Sequence, residues 1–364
     1  MYKVTINPHW KITHDADAPL DTTVLLELLM LIQKTGSISQ AARTIGLSYR
    51  YAWGLLREVE RLFGNTLMDK GRGRGTSLTP LAEKLIWADR RITARLSPML
   101  ESLSSELERE LNKMAAGQSK TIRLHASHGF AIAALLNDIN DAKLPFELLY
   151  RNSTDAVAAL SRRECDLAGF HVPLGDFERP AVALYTQWLN PKTHCLIHLA
   201  VRSQGLFVAS GNPKGIHKLH DLTKNGVRFV NRQVGSGTRM LLELMLTGES
   251  ISPNDINGFG SAEFTHSAVA AYIASGMAEV GFGVQTAAQR FGLDFIPLVR
   301  ERYFFALPVA ALDDPLIQQV IGILQSASFC EVVNGLAGYD ASDTGKILSL
   351  AEAFGNFGGK LKNA

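Results

Sequence analysis

Cysteine is scarce in this chain. Cys165, Cys195 and Cys330 are its three thiols in 364 residues, an odd number with no Cys-x-x-Cys spacing, which excludes a disulfide framework and a thiolate zinc site. Long hydrophobic runs are missing as well. Nowhere do about 18 apolar residues follow one another, so no bilayer-spanning helix is expected, and the start Met1-Tyr2-Lys3-Val4-Thr5 lacks the charged-then-apolar build of a secretory signal. A protein of the reducing cytoplasm, without a membrane partner, is the expectation. Enzyme signatures are equally thin. There is no P-loop and no Gly-x-Ser-x-Gly elbow, and Ser127 and His128 are adjacent in sequence, so their side chains diverge instead of pairing as nucleophile and base. His194, Cys195, His198, His217 and His220 have metal-compatible side chains, but their strand or loop settings give no ligand geometry. No catalysis and no metal are expected.

What is present is an ordinary globular composition, 46% hydrophobic and 20% charged, in a chain long enough for two domains or more. The formal net charge of +2 conceals an asymmetry: residues 43 to 95 carry +6 and the remainder −4. Charge acts over roughly a Debye length, about 8 to 10 Å, so a basic front segment most simply meets a polyanion.

The front segment has helix grammar. Asp21 can cap a helix from Thr22 to Thr35, with Leu25, Leu28, Leu29 and Ile32 at helical spacing and Gly36 ending it. Ser37 can cap a short helix through Ile45, with small Ala41 and Ala42 for close packing. Gly46 supplies a turn, and Ser48 caps a third helix from Tyr49 to Phe63. Its apolar face is Ala52, Leu55, Leu56, Val59, Leu62 and Phe63; Tyr49, Arg50, Trp53 and Arg57 fall largely off it. Helix, glycine turn, helix is the helix-turn-helix plan, in which the start of the second helix reaches base edges. The stretch from Asp69 to Thr79 then alternates glycine with cations and reads as a β-hairpin wing, whose Arg72 and Arg74 pair with phosphates or enter the minor groove.

Residues 20 to 115 resemble two related families of bacterial regulators, the ModE-type molybdate-responsive and the LysR-type. The likeness is carried by Gly36-Ser37-Ile38-Ser39-Gln40-Ala41-Ala42, by Leu47-Ser48-Tyr49-Arg50-Tyr51-Ala52-Trp53, and by the glycine-rich wing closing in Leu78-Thr79-Pro80. The Ser-Tyr-x-x-Ala-Trp stretch and the wing are closer to the ModE type. The resemblance implies a winged helix-turn-helix that grips double-stranded operator DNA as a dimer, with Ser39, Gln40, Ser48, Tyr49, Arg50, Tyr51, Trp53, Arg57, Arg72 and Arg74 as the DNA-contacting set.

Thr79 and Pro80 open a long helix as N-cap and N1. Leu81, Leu85, Ile92, Leu96, Leu100, Leu103, Leu107, Leu111 and Met114 form a stripe along it, suited to a dimerisation helix, and Pro98 is expected to kink or interrupt it. From Thr121 the grammar becomes strand, polar turn, helix. Ile122–Ala126, Phe146–Tyr150 and Asp166–His171 are expected strands, with helices from Phe130 and Asp155 between them. This repetition predicts a parallel sheet with ligands at the carboxyl ends of the strands. A second lobe is expected from Leu206–Pro213 and Val227–Arg232. Gly235-Ser236-Gly237-Thr238-Arg239, directly before an apolar helical run, exposes backbone N–H groups and hydroxyls at a helix N-terminus, an anion cradle that Arg239 can close. Thr265-His266-Ser267 is a similar helix start.

Residues 121 to about 330 resemble the periplasmic-binding-protein-like domain of soluble sensors and of molybdate- and tungstate-binding proteins, through Gly211-Asn212-Pro213, Asn231-Arg232-Gln233 with Gly235 to Arg239, and Ala278 to Gly283. The resemblance implies two lobes closing on a small ligand, held by Ser127, His128, Ser153, Thr154, Gly235, Ser236, Gly237, Thr238, Arg239, Thr265, His266 and Ser267. The small molybdate-binding domain pair of ordinary ModE-type proteins is missing. The expected organisation is a winged helix-turn-helix over residues 1–80, a dimerisation and linker helix over 81–117, and a two-lobed α/β sensor over 118–364. The expected function is a cytoplasmic, dimeric or tetrameric transcriptional regulator, with no cofactor, whose rear domain senses a small oxyanion: molybdate or tungstate, with formate or another small carboxylate as the competitor. A stand-alone binding protein or an enzyme is disfavoured.

Overall fold

The computed structural model describes residues 2–14, 19–70, 75–116 and 120–355, and divides the chain into two compact units, Asn7–Leu96 and Met1–Ile6 with Ser97–Ala364. In the first unit, strands β1 (Lys11–Ile12) and β2 (Leu20–Asp21) pair antiparallel ahead of helix α1 (Thr22–Thr35). Asp21 caps α1 by accepting from Thr23 N, and Gly36 closes it in the left-handed region at φ 66°, its N–H donating to Ile32 O. Helices α2 (Ile38–Thr44) and α3 (Tyr49–Phe63) start on the caps of Ser37 and Ser48, which accept from Gln40 N and Tyr51 N. Leu25, Leu28, Leu29, Ile32, Ala41, Ala42, Ala52, Leu56 and Val59 are wholly buried between the three helices; each buried Leu or Ile contributes about 1.5–3 kcal/mol. Strands β3 (Met68–Lys70) and β4 (Thr76–Leu78) form the expected antiparallel hairpin, anchored to the end of α1 by Thr76 N donating to Gly36 O. The hairpin tip, with Arg72 and Arg74, lies outside the described residues.

Helix α4 runs from Pro80 to Ala116 with Pro98 inside it. The expected interruption does not occur: a proline removes one helical hydrogen bond, and the remaining turns carry the helix through. The boundary between the units falls one residue before Pro98.

The second unit is built on one ten-stranded sheet. In chain order its elements are β5 (Ile122–Ala126), α5 (Phe130–Asp141), β6 (Phe146–Tyr150), α6 (Ser153–Ser161), β7 (Leu167–Pro173), α7 (Glu178–Tyr185), β8 (His194–Val208), β9 (Phe229–Arg232), α8 (Gly237–Gly248), β10 (Ala262–Glu263), α9 (His266–Ala274), β11 (Val280–Val284), α10 (Gln285–Arg290), β12 (Asp294–Pro308), α11 (Pro315–Leu324), α12 (Ala327–Asn334), β13 (Tyr339–Asp340), β14 (Ile347–Ser349) and α13 (Leu350–Phe354). The strand order is β10-β9-β11-β8-β12-β7-β5-β6, with β13 and β14 also on β8. The expected parallel pairing holds within each end of the sheet, β6-β5-β7 and β10-β9-β11. It fails in the middle, where β8 and β12, 15 residues each, run antiparallel to one another and to β7 and β11. Leu206–Val208, expected to open the second lobe, is instead the end of β8. At about 3.3 Å per residue, a 15-residue strand spans about 50 Å, long enough to serve both lobes. Strand β7 is buried at all seven residues, as a strand covered on both faces must be.

Candidate functional site

Between the two ends of the sheet lies a cleft of about 460 Å³. One lobe gives it Ser127 and His128 from the turn after β5, Tyr150 to Ser153 from the turn after β6, and His171 from β7. The other gives Arg232 and Gln233 at the end of β9, Ser236 to Thr238 at the start of α8, and Phe264 and His266 at the start of α9; the long strand β8 contributes Arg202. The first helical residues of α6, α8 and α9 therefore share one cavity, and helix N-termini carry unsatisfied N–H groups and about half a positive charge each. Gln233, Asn152 and the serines add neutral donors. The mouth is narrow: a Cβ at Gly235 would stand 3.4 Å from Asn152 Nδ2, and one at Gly237 would stand 3.6 Å from Ser153 Oγ. Both are ordinary contact distances; what calls for glycine at 235 is its left-handed backbone, φ 82°.

The electrostatics are set by two buried guanidinium groups. Arg202 is 2% exposed and pairs with Glu301 at 2.5 Å, also donating to Tyr339 Oη at 3.4 Å. Burial alone would lower its pKa, but Glu301 outweighs that and holds it above the ordinary arginine range. Arg232, 6% exposed, donates to Phe264 O through one NH2 at 2.8 Å and leaves its Nε without a hydrogen-bond partner. Burial first, and the like charge of Arg202 second, pull its pKa down to about 9 against the opposing pull of Glu301, so it stays charged at neutral pH. Ser127 Oγ, His171 Nε2 and His266 Nδ1, the last against Gly283, are likewise buried and unpartnered in residues that line the cleft. Burial pushes His171 and His266 well below the ordinary histidine range and His128 to about 4, with the charge of Arg232 adding to the effect in all three and that of Arg202 in the first two. All three imidazoles are neutral at pH 7. His171 is held in place: Ser153 Oγ lies 3.3 Å from its Nδ1, and Tyr303 stacks on its ring at 3.9 Å. Three unpartnered polar atoms beside the Arg232 guanidinium, itself with a free Nε, make a polar receptacle of net positive charge.

Of the ligand set expected from sequence, Ser127, His128, Ser153, Ser236, Gly237, Thr238 and His266 line the cleft, whereas Thr154, Gly235, Arg239, Thr265 and Ser267 do not. Thr265 caps α9 through Ala268 N, and Thr154 donates to Asn152 Oδ1. Arg239 turns away to Glu243 at 2.8 Å, the i,i+4 partner on its own helix, with its guanidinium over the Phe259 ring at 4.9 Å. Sequence reasoning missed His171, Arg202 and Arg232. Arg232 carried a signal, a cation at the end of a strand three residues before Gly235; Arg202 and His171, inside apolar strands, carried none. The metal-compatible side chains are scattered: Cys195 Sγ lies on Leu307 O, His198 is edge-on to Phe304, and His220 meets Glu249 at 2.9 Å.

In the first unit, α3 presents a cationic and aromatic surface. Tyr49 and Tyr51 are more than half exposed, and Arg50 and Arg57 are exposed. Tyr49 stacks near Trp53, rings 13° apart, and Arg57 lies over the same indole at 5.0 Å. Gln40 is exposed on α2; Ser39 accepts from Arg43 NH2 at 3.4 Å, and Ser48 is committed to its capping bond.

Residues 136–325, half of the chain, match the family described as PBP superfamily domain, and residues 24–83 match the bacterial regulatory helix-turn-helix protein family, lysR family. The chain is 32% identical over 240 residues to the uncharacterized protein YvgK of Bacillus subtilis (strain 168), covering 65% of this chain and 73% of that one. It is 30% identical over 140 residues to the molybdenum-pterin-binding protein MopB of Rhodobacter capsulatus, covering 37% of this chain and 51% of MopB. Among solved structures, a mutant of OxyR from Corynebacterium glutamicum is similar at 17% identity and a TM-score of 0.42, over 86% of this chain and 94% of that chain. Among the described residues no single helix is long and apolar enough to cross a membrane. The chain belongs to the PBP superfamily and, with its lysR-family helix-turn-helix in front, is a DNA-binding transcriptional regulator of the LysR/ModE type with a PBP-like effector domain.

Proposed function

We propose that the effector is a small oxyanion held in the cleft by Arg232, Ser127, His171 and His266 together with the N-terminal turn of α8, and that its capture alters the grip of the N-terminal unit on operator DNA. The observation that carries this reading is Arg232: a buried guanidinium with a free Nε, amid three further unpartnered polar atoms. A dehydrated tetrahedral anion needs several converging N–H and O–H groups, and Ser236, Thr238 and Ser153 add hydroxyls to the set. Molybdate and tungstate come first, because one relative is a molybdenum-pterin-binding protein. Formate or another small carboxylate is the second reading, favoured by geometry: with Arg202 paired to Glu301, the buried Arg232 keeps a free Nε–H for a planar carboxylate. The recognition surface is Tyr49, Arg50, Tyr51, Trp53 and Arg57 of α3 with Gln40 of α2, assisted by Arg72 and Arg74, on operator DNA bound by a homodimer or homotetramer. A population shift toward the closed cleft would change half-site spacing and hence operator affinity.

Titration calorimetry of the full chain with molybdate, tungstate, sulfate and formate tests the reading. One saturable response is expected, weakened at least tenfold in Ser236→Ala. No heat from any of the four anions would overturn it.

A further inference from the structure

One wall of the cleft belongs to neither lobe. Pro98, Met99, Ser102, Leu103 and Glu106 of α4 line it, and this stretch is fastened to the sheet by specific hydrogen bonds. Strand β6 is the last strand of the sheet, so N–H groups on its outer side have no neighbouring strand to receive them. Leu148 N donates to Ser105 Oγ at 3.0 Å and Tyr150 N to Ser102 Oγ at 3.3 Å. Residues three apart on a helix share a face about 4.5 Å apart along its axis, and residues two apart on a strand share a side about 6.6 Å apart, so two hydroxyls meet two same-side amides with helix and strand running in opposite directions. A third bond runs from Tyr150 Oη to Glu101 Oε2 at 2.6 Å. The Tyr150 ring stands 5.2 Å from that of His128, and both line the cleft. Tyr150 thus ties the helix to His128 of the same lining.

We propose that residues 98–106 of α4 are a third component of the effector site, and that docking of this helix on β6 and occupancy of the cleft are one linked equilibrium. The proposal rests on the anion reading of the cleft. A guest that packs against Tyr150 and Leu103 tightens the Ser102 and Ser105 bonds, and by reciprocity whatever loosens those bonds weakens the guest by the same factor. Glu106 is the one carboxylate among the residues lining the cleft, so the helix wall also selects against guests carrying negative charge beyond the anchoring group. The coupling has a covalent route forward, because the same helix continues without a break to Pro80.

The test uses the full chain and the double variant Ser102→Ala/Ser105→Ala, with hydrogen–deuterium exchange of the 146–150 segment and calorimetry with molybdate and formate. In the anion-free protein the variant's exchange should quicken at least tenfold, and affinity for whichever anion binds the wild type should fall about tenfold, with far-UV circular dichroism unchanged. Should the double variant fold poorly, Glu101→Gln, which keeps shape and removes charge, should give changes of the same sign at about threefold. Unchanged exchange overturns the docking; faster exchange with unchanged affinity overturns the linkage. A wild type that binds neither anion sinks the anion reading and this proposal with it, whereas wild-type binding undiminished in the variants sinks this proposal alone.

Discussion

Replacing Arg232 with Met separates stability from recognition. A guanidinium held at about 9 instead of its ordinary 12.5 carries a charging cost of about 5 kcal/mol in the empty cleft. Met has a similar length and no charge, so Arg232→Met removes that cost. It also loses the hydrogen bond to Phe264 O, worth about 1 kcal/mol, and some packing. The net expectation is a gain of about 3 kcal/mol for the anion-free protein, in line with the 1–4 kcal/mol found when buried charges yield to apolar side chains. For a domain of this size that is a rise in melting temperature of roughly 6–12 °C. The same variant should lose the anion response, so that molybdate or formate, expected to raise the wild-type melting temperature, leaves it unmoved. Thermal unfolding followed by circular dichroism, with and without anion, reads both effects. A variant less stable than the wild type without anion would show that Glu301 and the Phe264 carbonyl outweigh the cost of burying Arg232; one that keeps a full anion-induced rise would show that the anion binds elsewhere.

Three further outcomes follow from the same geometry. Glu301→Gln leaves Arg202 buried without its partner and should cost about 3–5 kcal/mol in urea unfolding; a loss below about 1 kcal/mol would contradict the buried pair. Acidification should destabilise the anion-free protein: His128 takes its proton near pH 6.5 when unfolded and only at about 4 when folded, so up to about 3 kcal/mol is lost as pH falls across that window. The depressed values of His171 and His266 act in the same direction, and a bound anion, which favours the protonated imidazoles, should reduce the loss; stability flat from pH 7 to 5 would refute it. Arg50→Ala, at an exposed side chain, should weaken operator binding by about 1–3 kcal/mol in retardation assays while leaving the melting temperature unchanged; unaltered retardation would move the DNA-reading surface elsewhere.

The local structure was legible wherever one residue decides it. Asp21, Ser37 and Ser48 could be read as caps because a short polar side chain before an apolar period has one structural use, and the helices begin there. Strands β5 and β6 were legible from their bounding turns. The antiparallel middle of the sheet was not: Arg202 and Gln204 break the apolar run of β8, although both are buried inside it, and pairing over distances of about 100 residues leaves no local mark. The cleft was half legible for the same reason. Hydroxyls at helix starts announce themselves, as Ser153, Ser236 and Thr238 do. Whether a cation beside them faces inward depends on what else is near: Arg239 had an acid four residues on and took it, whereas Arg232 has no acid one turn away on its own segment and stayed buried and charged.

The central claim is that a small anion lodges against Arg232. Crystals of the full chain grown with tungstate, whose anomalous scattering locates the metal unambiguously, and in parallel with formate, test it most directly. The account predicts guest density in at least one of them within hydrogen-bonding reach of Arg232 Nε and bordered by Ser127, His171 and His266. A cleft empty in both, or a guest lodged away from Arg232, would contradict it.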